Sequence, residues 1–433
     1  GRSAALLGEL TDAYGPRLSG SSVHAGAAAW CADVLRRMGA DDVHDEPVQL
    51  PATWTRGPVI LRAGSRALHA EAVGWAPPPR EGGIDAGVVM MRDASAEAVR
   101  NAAATLAGKL VLLPRGALPK GTKAGGEAMD ALARAGAAGL LLAQRRWSHV
   151  LIATAWGSGA PGPLPMAHVS LEDAAWLERR LEEGPVTLHY EDASRLGPAT
   201  TAANVVAEVR GRERPEEYVL LSAHLDAWDF ATGAQDNGAG VVMALEAARA
   251  VLATGVRPRR SIRIGLWVGE EQALYGSRAY VERHRQELDR IVAVINSDHG
   301  AGALKGWTLA LRPDLVRKHE PWARALFAGL GATELWDAFG CDTDHCPFAL
   351  AGVPTLNLEV DEEAYGELHH TAADTFDKVQ PQHLAAGAAA LALAAYSLAD
   401  RAERFGPRQP WTETKKALEA QHALEDLQYE GLL

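Results

Sequence analysis

Apolar residues recur at helical spacing in two stretches near the start of the chain, residues 4–14 and 23–38. Gly15-Pro16 and Ser19-Gly20-Ser21 punctuate them, and Gly39 predicts a stop. From 43 to about 72, short runs such as Val59-Ile60-Leu61 alternate with polar positions, the two-residue period of strands. A cluster of turn formers follows, Pro77-Pro78-Pro79 and Gly82-Gly83, and predicts a domain boundary. Residues 84–198 have their own rhythm: apolar runs at 87–91, 110–113 and 139–143 predict strands around a helix at 128–137. Few candidate catalytic groups fall in this segment, so it reads as an inserted β-rich module serving shape.

From Thr200 onward the pattern becomes strand–helix alternation. Buried-strand runs at 218–223, 260–268, 291–295 and 353–358 are interleaved with helical patterns at 238–254, 274–288, 322–330 and 384–398. That order predicts an α/β fold, a mostly parallel sheet covered by helices on both faces. The expected organisation is a discontinuous catalytic domain over 1–83 and 199–405, the insertion at 84–198, and a charged helical arm at 406–433 for packing or dimerisation.

Composition narrows the class. A chain of 433 residues, 47% apolar and 23% charged, is an ordinary globular protein of two or three structural units. Its net charge of -12 lacks the basic surplus that a nucleic-acid binder carries. The longest apolar run, 384–399, falls short of the roughly 18 residues of a membrane span, so no membrane partner is expected. Three cysteines are too few for a disulfide framework or a Cys-based zinc site. Cys341 and Cys346 are close enough to bridge across a loop, or to remain as two thiols, and Cys31 is left unpaired. A start at Gly1 without Met is expected of a processed product.

In open α/β sheets the functional groups gather beyond the carboxyl ends of the strands. Metal-type ligands occupy that location repeatedly here: His224-Leu225-Asp226 and Asp236-Asn237-Gly238 after the first strand, Glu270-Glu271 after the second, Asp298-His299 after the third, and His369-His370-Thr371 with Asp374 after the fourth. Each piece alone is weak. With 15 His in the chain, a His-x-Asp arises by chance. Asp-Asn-Gly is ordinary turn or cap chemistry, and Glu-Glu is an ordinary helix start. Together, His224, Asp236, Glu271, Asp298 and His370 supply the mixed nitrogen and oxygen set that suits Zn²⁺. Five ligands exceed one tetrahedral ion, and an Asp shared between two ions about 3.5–4 Å apart resolves the count. Glu270 is then available as general base, and Asp226 as the carboxylate that fixes the His224 imidazole.

The ordered set His224-x-Asp226, Asp236-Asn237, Glu270-Glu271, Asp298 and His370-Thr371-x-x-Asp374-Thr375 resembles the co-catalytic zinc exopeptidases of the dinuclear aminopeptidase type. The similarity runs over roughly residues 8–400 and includes Leu10-Thr11-Asp12-Ala13-Tyr14-Gly15-Pro16-Arg17-Leu18-Ser19-Gly20-Ser21. The resemblance implies a zinc exopeptidase fold with a protease-associated-like insertion. It also implies two zinc ions: one on His224 and Asp298, one on Glu271 and His370, with Asp236 between them. It further implies dipeptides or short peptides as substrates, cleaved by a metal-bridging hydroxide with Glu270 as base, in a secreted or periplasmic enzyme that can form homodimers. His369 stands where many relatives carry an aromatic residue. Thr343-Asp344-His345 resembles a Ser-Asp-His element, read equally as a loop buttress and as a substrate contact, and Trp228 and Tyr365 as pocket walls or packing.

Two other readings share the fold. A glutaminyl cyclase-like acyltransferase uses a single zinc, and the full five-ligand set argues against it. A non-catalytic binding protein would be expected to lose ligands or the base, and this chain keeps them. There is no His-Glu-x-x-His helix, Gly-x-Ser-x-Gly elbow or phosphate loop.

Overall fold

The computed structural model describes residues 2–157 and 159–433. It divides into two compact units, 1–50 with 201–424, and 51–200 with 425–433.

The larger unit is built on an eight-stranded sheet. Its centre is parallel: strand Arg214–His224 lies between Arg260–Trp267 and Ile291–Asn296, and Thr355–Val360 pairs beyond the last. Alternation along the strands sends side chains to two cores. Val219, Leu221 and Ala223 pack with helices Ala239–Ala253 and Pro381–Asp400, whereas Tyr218 and Leu220 pack with Trp267 and with Tyr280 of helix Tyr275–Arg283. Helices therefore cover both faces, as the near-continuous apolar strands require.

Antiparallel pairings include Thr200–Val209 with Arg260–Trp267 and Leu304–Thr308 with Thr355–Val360. The segment 274–288 is a helix only as far as Arg283, followed by the 3-10 turn Arg285–Arg290. The helix expected at 322–330 runs from Pro313 to Leu326, opened by its N-terminal proline. The C-terminal helix of the sheet region, Pro381–Asp400, has 20 residues and is long and apolar enough to cross a membrane on length and composition. Here its Leu384, Leu391 and Leu398 are buried in the core.

Register sets the geometry of the site. His224 pairs with Trp267, Ser222 with Asn296, and Asn296 with Asn357. The strands thus end together, and the loops after them start from one edge. Below that edge lies a buried polar row: Ser222 Oγ donates to Asn296 Oδ1 (3.0 Å) and Asn296 Nδ2 donates to Asn357 Oδ1 (3.0 Å).

The smaller unit corrects the expected boundary. It begins at residue 51, not 84. Strands Val59–Ala63 and Ala70–Ala72 pair with Thr187–Asp192 and Met166–Val169, so hydrogen bonding commits them to this sheet well before the proline cluster. The unit also carries more helix than a β-rich module suggests. Ala96–Leu106 and Leu171–Glu183, capped by Ser95 and Ser170, accompany Thr122–Arg134. The arm expected at 406–433 divides: helix Trp411–Ala420 belongs to the larger unit, and 425–433 joins the smaller. There Asp426 accepts the Lys123 N–H at 3.0 Å.

Candidate metal centre

The five expected ligands converge. Asp236 stands in the middle, with Oδ1 at 3.2 Å from His224 Nε2 and Oδ2 at 3.3 Å from His370 Nε2. Asp298 Oδ1 lies 2.8 Å from the same His224 nitrogen, and Glu271 Oε2 lies 3.0 Å from the same His370 nitrogen. Donors bound to one tetrahedral zinc sit about 3.3–3.5 Å apart, given bonds of about 2.0–2.2 Å. The separations of 2.8–3.3 Å are at or somewhat below that spacing, and the two clusters share only Asp236. His369 stacks on His370 and its Nε2 is 3.7 Å from Asp236 Oδ2, but its side chain is 42% exposed and it stands at the rim.

The loops that carry Asp236 and Asp298 have identifiable anchors. Arg17 is fully buried and donates to the carbonyls of Leu225 (2.6 Å), Thr232 (2.7 Å) and Gly233 (2.8 Å), clamping the loop between His224 and Asp236. Asp374 accepts the N–H groups of Gln235 (2.7 Å) and Asp236 (3.0 Å). Asn237 Nδ2 donates to Ser297 O at 2.8 Å, joining the Asp236 loop to the Asp298 loop. Gly240 is required there, since a Cβ would overlap Asn237 Oδ1 and Ser297 O.

Asp226 differs from expectation. Its backbone carbonyl, not its carboxylate, is the near partner of His224 Nδ1, at 3.0 Å against 3.7 Å. The carboxylate instead accepts the N–H groups of Glu270 (3.3 Å) and Glu271 (3.4 Å). Asp226 is therefore a positioning residue for the turn that carries both glutamates. Gly269 opens that turn at φ 77°, where a side chain would be strained.

The electrostatics are those of crowded acids around two imidazoles. Burial raises the Glu270 pKa well above its ordinary value, against the pull of His224, with Asp298, Asp344 and Glu271 adding to the rise. Burial and Asp236 push Glu271 up to about 7, opposed by His370. Burial also works against charge on Asp236, but His224 and His370 hold its pKa well below the usual range. His370 is desolvated, yet Glu271 and Asp236 raise it to about 10. Asp236 Oδ2 and Glu271 Oε1 are buried and accept no hydrogen bond. An unsatisfied buried acceptor costs about 1–3 kcal/mol, more when charged. Divalent cations would satisfy both atoms and offset the carboxylate repulsion. The residues present fit divalent cations.

Glu270 Oε2 lies 4.0 Å from His224 Nε2, beside the cluster and within reach of a group held there. Trp228 meets His370 edge-on with centroids 5.8 Å apart, and Tyr365 is tilted against His369, with centroids 5.1 Å apart. In the Thr343-Asp344-His345 loop, Thr343 Oγ1 contacts His345 Nδ1 (2.6 Å) and accepts from Asn296 Nδ2 (3.3 Å). Cys341 and Cys346 form a disulfide across this loop, Cα atoms 4.9 Å apart, and Cys31 is a buried free thiol. Arg17 and Asp374 were visible in motifs but without roles. The signal for Arg17 was a charged residue inside a turn-rich Gly-Pro-Arg-Leu-Ser-Gly run between two apolar helices.

A mostly parallel sheet with imidazoles and carboxylates gathered past its strand ends is the frame of a hydrolase. The chain belongs to peptidase family M28. The match to Peptidase family M28 covers residues 204–395. Carboxypeptidase Q of Mus musculus is 31% identical over 413 residues, covering 93% of this chain and 86% of the relative. That of Rattus norvegicus is 32% identical over 415 residues, with shares of 93% and 86%. Among solved structures, a peptidase M28 precursor from Shewanella amazonensis SB2B aligns with a TM-score of 0.80 at 28% identity, over 94% of this chain and 95% of that one. A zinc aminopeptidase from Bacillus subtilis shares the fold, with a TM-score of 0.74 at 21% identity over 94% and 97%. The protein is a peptidase with the α/β exopeptidase fold read from its sequence.

Proposed function

We propose that this peptidase is a two-zinc exopeptidase that cleaves dipeptides and the N-terminal residues of short peptides. The observation that carries the reading is Asp236, whose two oxygens face two different His–carboxylate pairs, His224 with Asp298 and His370 with Glu271. When bound, the zinc ions supply Lewis acidity toward the scissile carbonyl and lower the pKa of the attacking water. Glu270 takes a proton from that water and delivers it to the leaving amine, a task suited to a carboxyl whose proton affinity burial has raised. Asp226 holds Glu270 and Glu271 in register through their N–H groups. The acidic centre formed by Asp236, Glu270, Glu271 and Asp298 suits a free α-amino group on the substrate.

The related names point to both chain ends, carboxypeptidase for the mammalian proteins and aminopeptidase for the Bacillus one. A dipeptide meets both descriptions, since its single bond is next to both termini. The disulfide at Cys341–Cys346 supports a secreted or periplasmic enzyme. The segment 51–200 is proposed as a protease-associated-like insertion, and a homodimer as the assembly.

The experiment is zinc content together with hydrolysis of free, N-blocked and C-amidated dipeptides. Two zinc ions per chain, with turnover of free and amidated but not N-blocked substrates, is the expected result. One zinc in fully active protein would overturn the shared role of Asp236. Equal cleavage of N-blocked dipeptides would overturn the N-terminal assignment.

A further inference from the structure

Three stretches of the smaller unit, distant in sequence, bring His69, His149, Glu172 and Asp173 together. We propose that these four side chains bind one first-row divalent ion, Zn²⁺ foremost, in addition to any metal held by the larger unit.

One donor atom each of His69, His149 and Asp173 lies within 4.8 Å of the others, and Ser170 Oγ stands between two of them, 3.2 Å from His149 Nδ1 and 3.1 Å from Asp173 Oδ2. His69 Nδ1 and His149 Nδ1 lie 4.0 Å and 3.9 Å from the same oxygen, Asp173 Oδ2, and His149 Nδ1 lies 3.8 Å from Glu172 Oε2. The two rings face each other with centroids 4.6 Å apart. Separations of 3.8–4.0 Å are too long for hydrogen bonds. They exceed by about half an ångström the 3.3–3.5 Å, roughly, that donors on one tetrahedral zinc adopt. Two imidazole nitrogens and two carboxylate oxygens are a set that suits zinc, copper or nickel rather than calcium or magnesium, which favour oxygen alone.

The acidic half of the set is fixed before an ion arrives. Asp173 is buried in the first turn of helix Leu171–Glu183, with Oδ1 taken by Arg66 Nη2 (3.0 Å) and Oδ2 accepting the His69 N–H (2.8 Å) and Ser170 Oγ (3.1 Å). Glu172 accepts the His149 N–H at 3.2 Å. The two imidazoles are the mobile half, their side chains 65% and 45% exposed, so a small rotation of each ring closes the gap. Holding the carboxylates in place reduces the ordering cost of binding. An ion here would tie the loop carrying Trp147, Ser148 and His149 to the start of that helix.

The test compares the full chain with a His69→Ala/His149→Ala variant. Both are equilibrated with the same buffered free zinc, and metal per chain is counted by atomic emission. The variant is expected to hold one ion fewer, with unchanged circular dichroism and unchanged peptide hydrolysis. Cobalt substitution of the wild type should add an absorption band that the variant lacks. Equal zinc counts in the two proteins would overturn the proposal. The readout is a difference between proteins, whereas failure of the two-zinc reading would appear as the absolute count remaining in the variant.

Discussion

Glu270 and Glu271 are adjacent, and Asp226 holds both by their N–H groups, yet their carboxylates have different neighbours. Glu271 meets His370 at 3.0 Å inside a ligand cluster, while the nearest imidazole nitrogen to Glu270 is 4.0 Å away. A purely electrostatic role would make their substitutions equivalent. Glu270→Gln is expected to keep its metal while kcat falls by about 10²–10⁴-fold, the range of a general base. Glu271→Gln is expected to lose metal first, with activity partly recovered at high zinc. Metal stoichiometry and kcat measured side by side separate the two, and near-normal turnover in Glu270→Gln would refute its role. Glu46 offers a pH test away from the centre. Burial opposes its charge, but His284 Nε2 and Arg283 Nη1, each at 2.8 Å, hold its pKa down to about 2 from an ordinary 4.5. Its stabilisation is complete above 4.5 and is lost as pH falls toward 2. Glu46→Gln is expected to be less stable by about 1–3 kcal/mol at neutral pH. Urea midpoints of the two proteins should converge over that acid interval.

Helices Ala239–Ala253 and Pro381–Asp400 meet closely because Gly387 faces Met243. A Cβ at Gly387 would overlap Met243 Sδ, and Met243 is itself 1% exposed. Two effects compete in Gly387→Ala. Helix propensity favours Ala by up to about 1 kcal/mol, and overpacking a closed core costs about 1–3 kcal/mol. The overlap wins because Met243 has no open side to move into. The variant is expected to melt several degrees lower while kcat at low temperature is unchanged. A higher Tm would show that the helices can part without cost. At this same scale, the positions of the ligand loops depend on segments outside the matched family region. Arg17 lies before residue 204, yet it fastens the loop that delivers Asp236.

Taken whole, the larger unit concentrates its unpaid electrostatic cost in one place. Burial raises the pKa values of Glu270, Glu271 and Asp298 together, and two carboxylate oxygens there accept no hydrogen bond. Ions that bind only the native state would stabilise it in proportion to RT ln(1 + [L]/Kd). Chelation is therefore expected to abolish hydrolysis and lower Tm, with zinc restoring both. Asp236→Ala, which touches both clusters, is expected to lose more metal than His224→Ala or His370→Ala. Equal losses from all three variants, by metal analysis, would contradict the shared position.

Periodicity and local chemistry carried much of this before any coordinates. Strands 110–113 and 139–143 match the observed Leu110–Leu113 and Gly139–Ala143, and the helix begun by Ser22 ends at Gly39 in the left-handed conformation its position called for. The residues expected as ligands stood out as a set because each lies at or beyond the end of a strand, and a parallel sheet brings the loops that follow to one edge. What sequence left open depends on partners far along the chain. The boundary at 50 rather than 83 rests on which sheet accepts strand Val59–Ala63, a choice made by Thr187–Asp192 more than a hundred residues later. Asp226 looked like a partner for the adjacent imidazole, and only the fold could bring the Glu270 and Glu271 N–H groups to its carboxylate. Side-chain period is a property of neighbours in sequence. Which donor meets which acceptor is a property of chain crossings, and at this centre those crossings decide the chemistry.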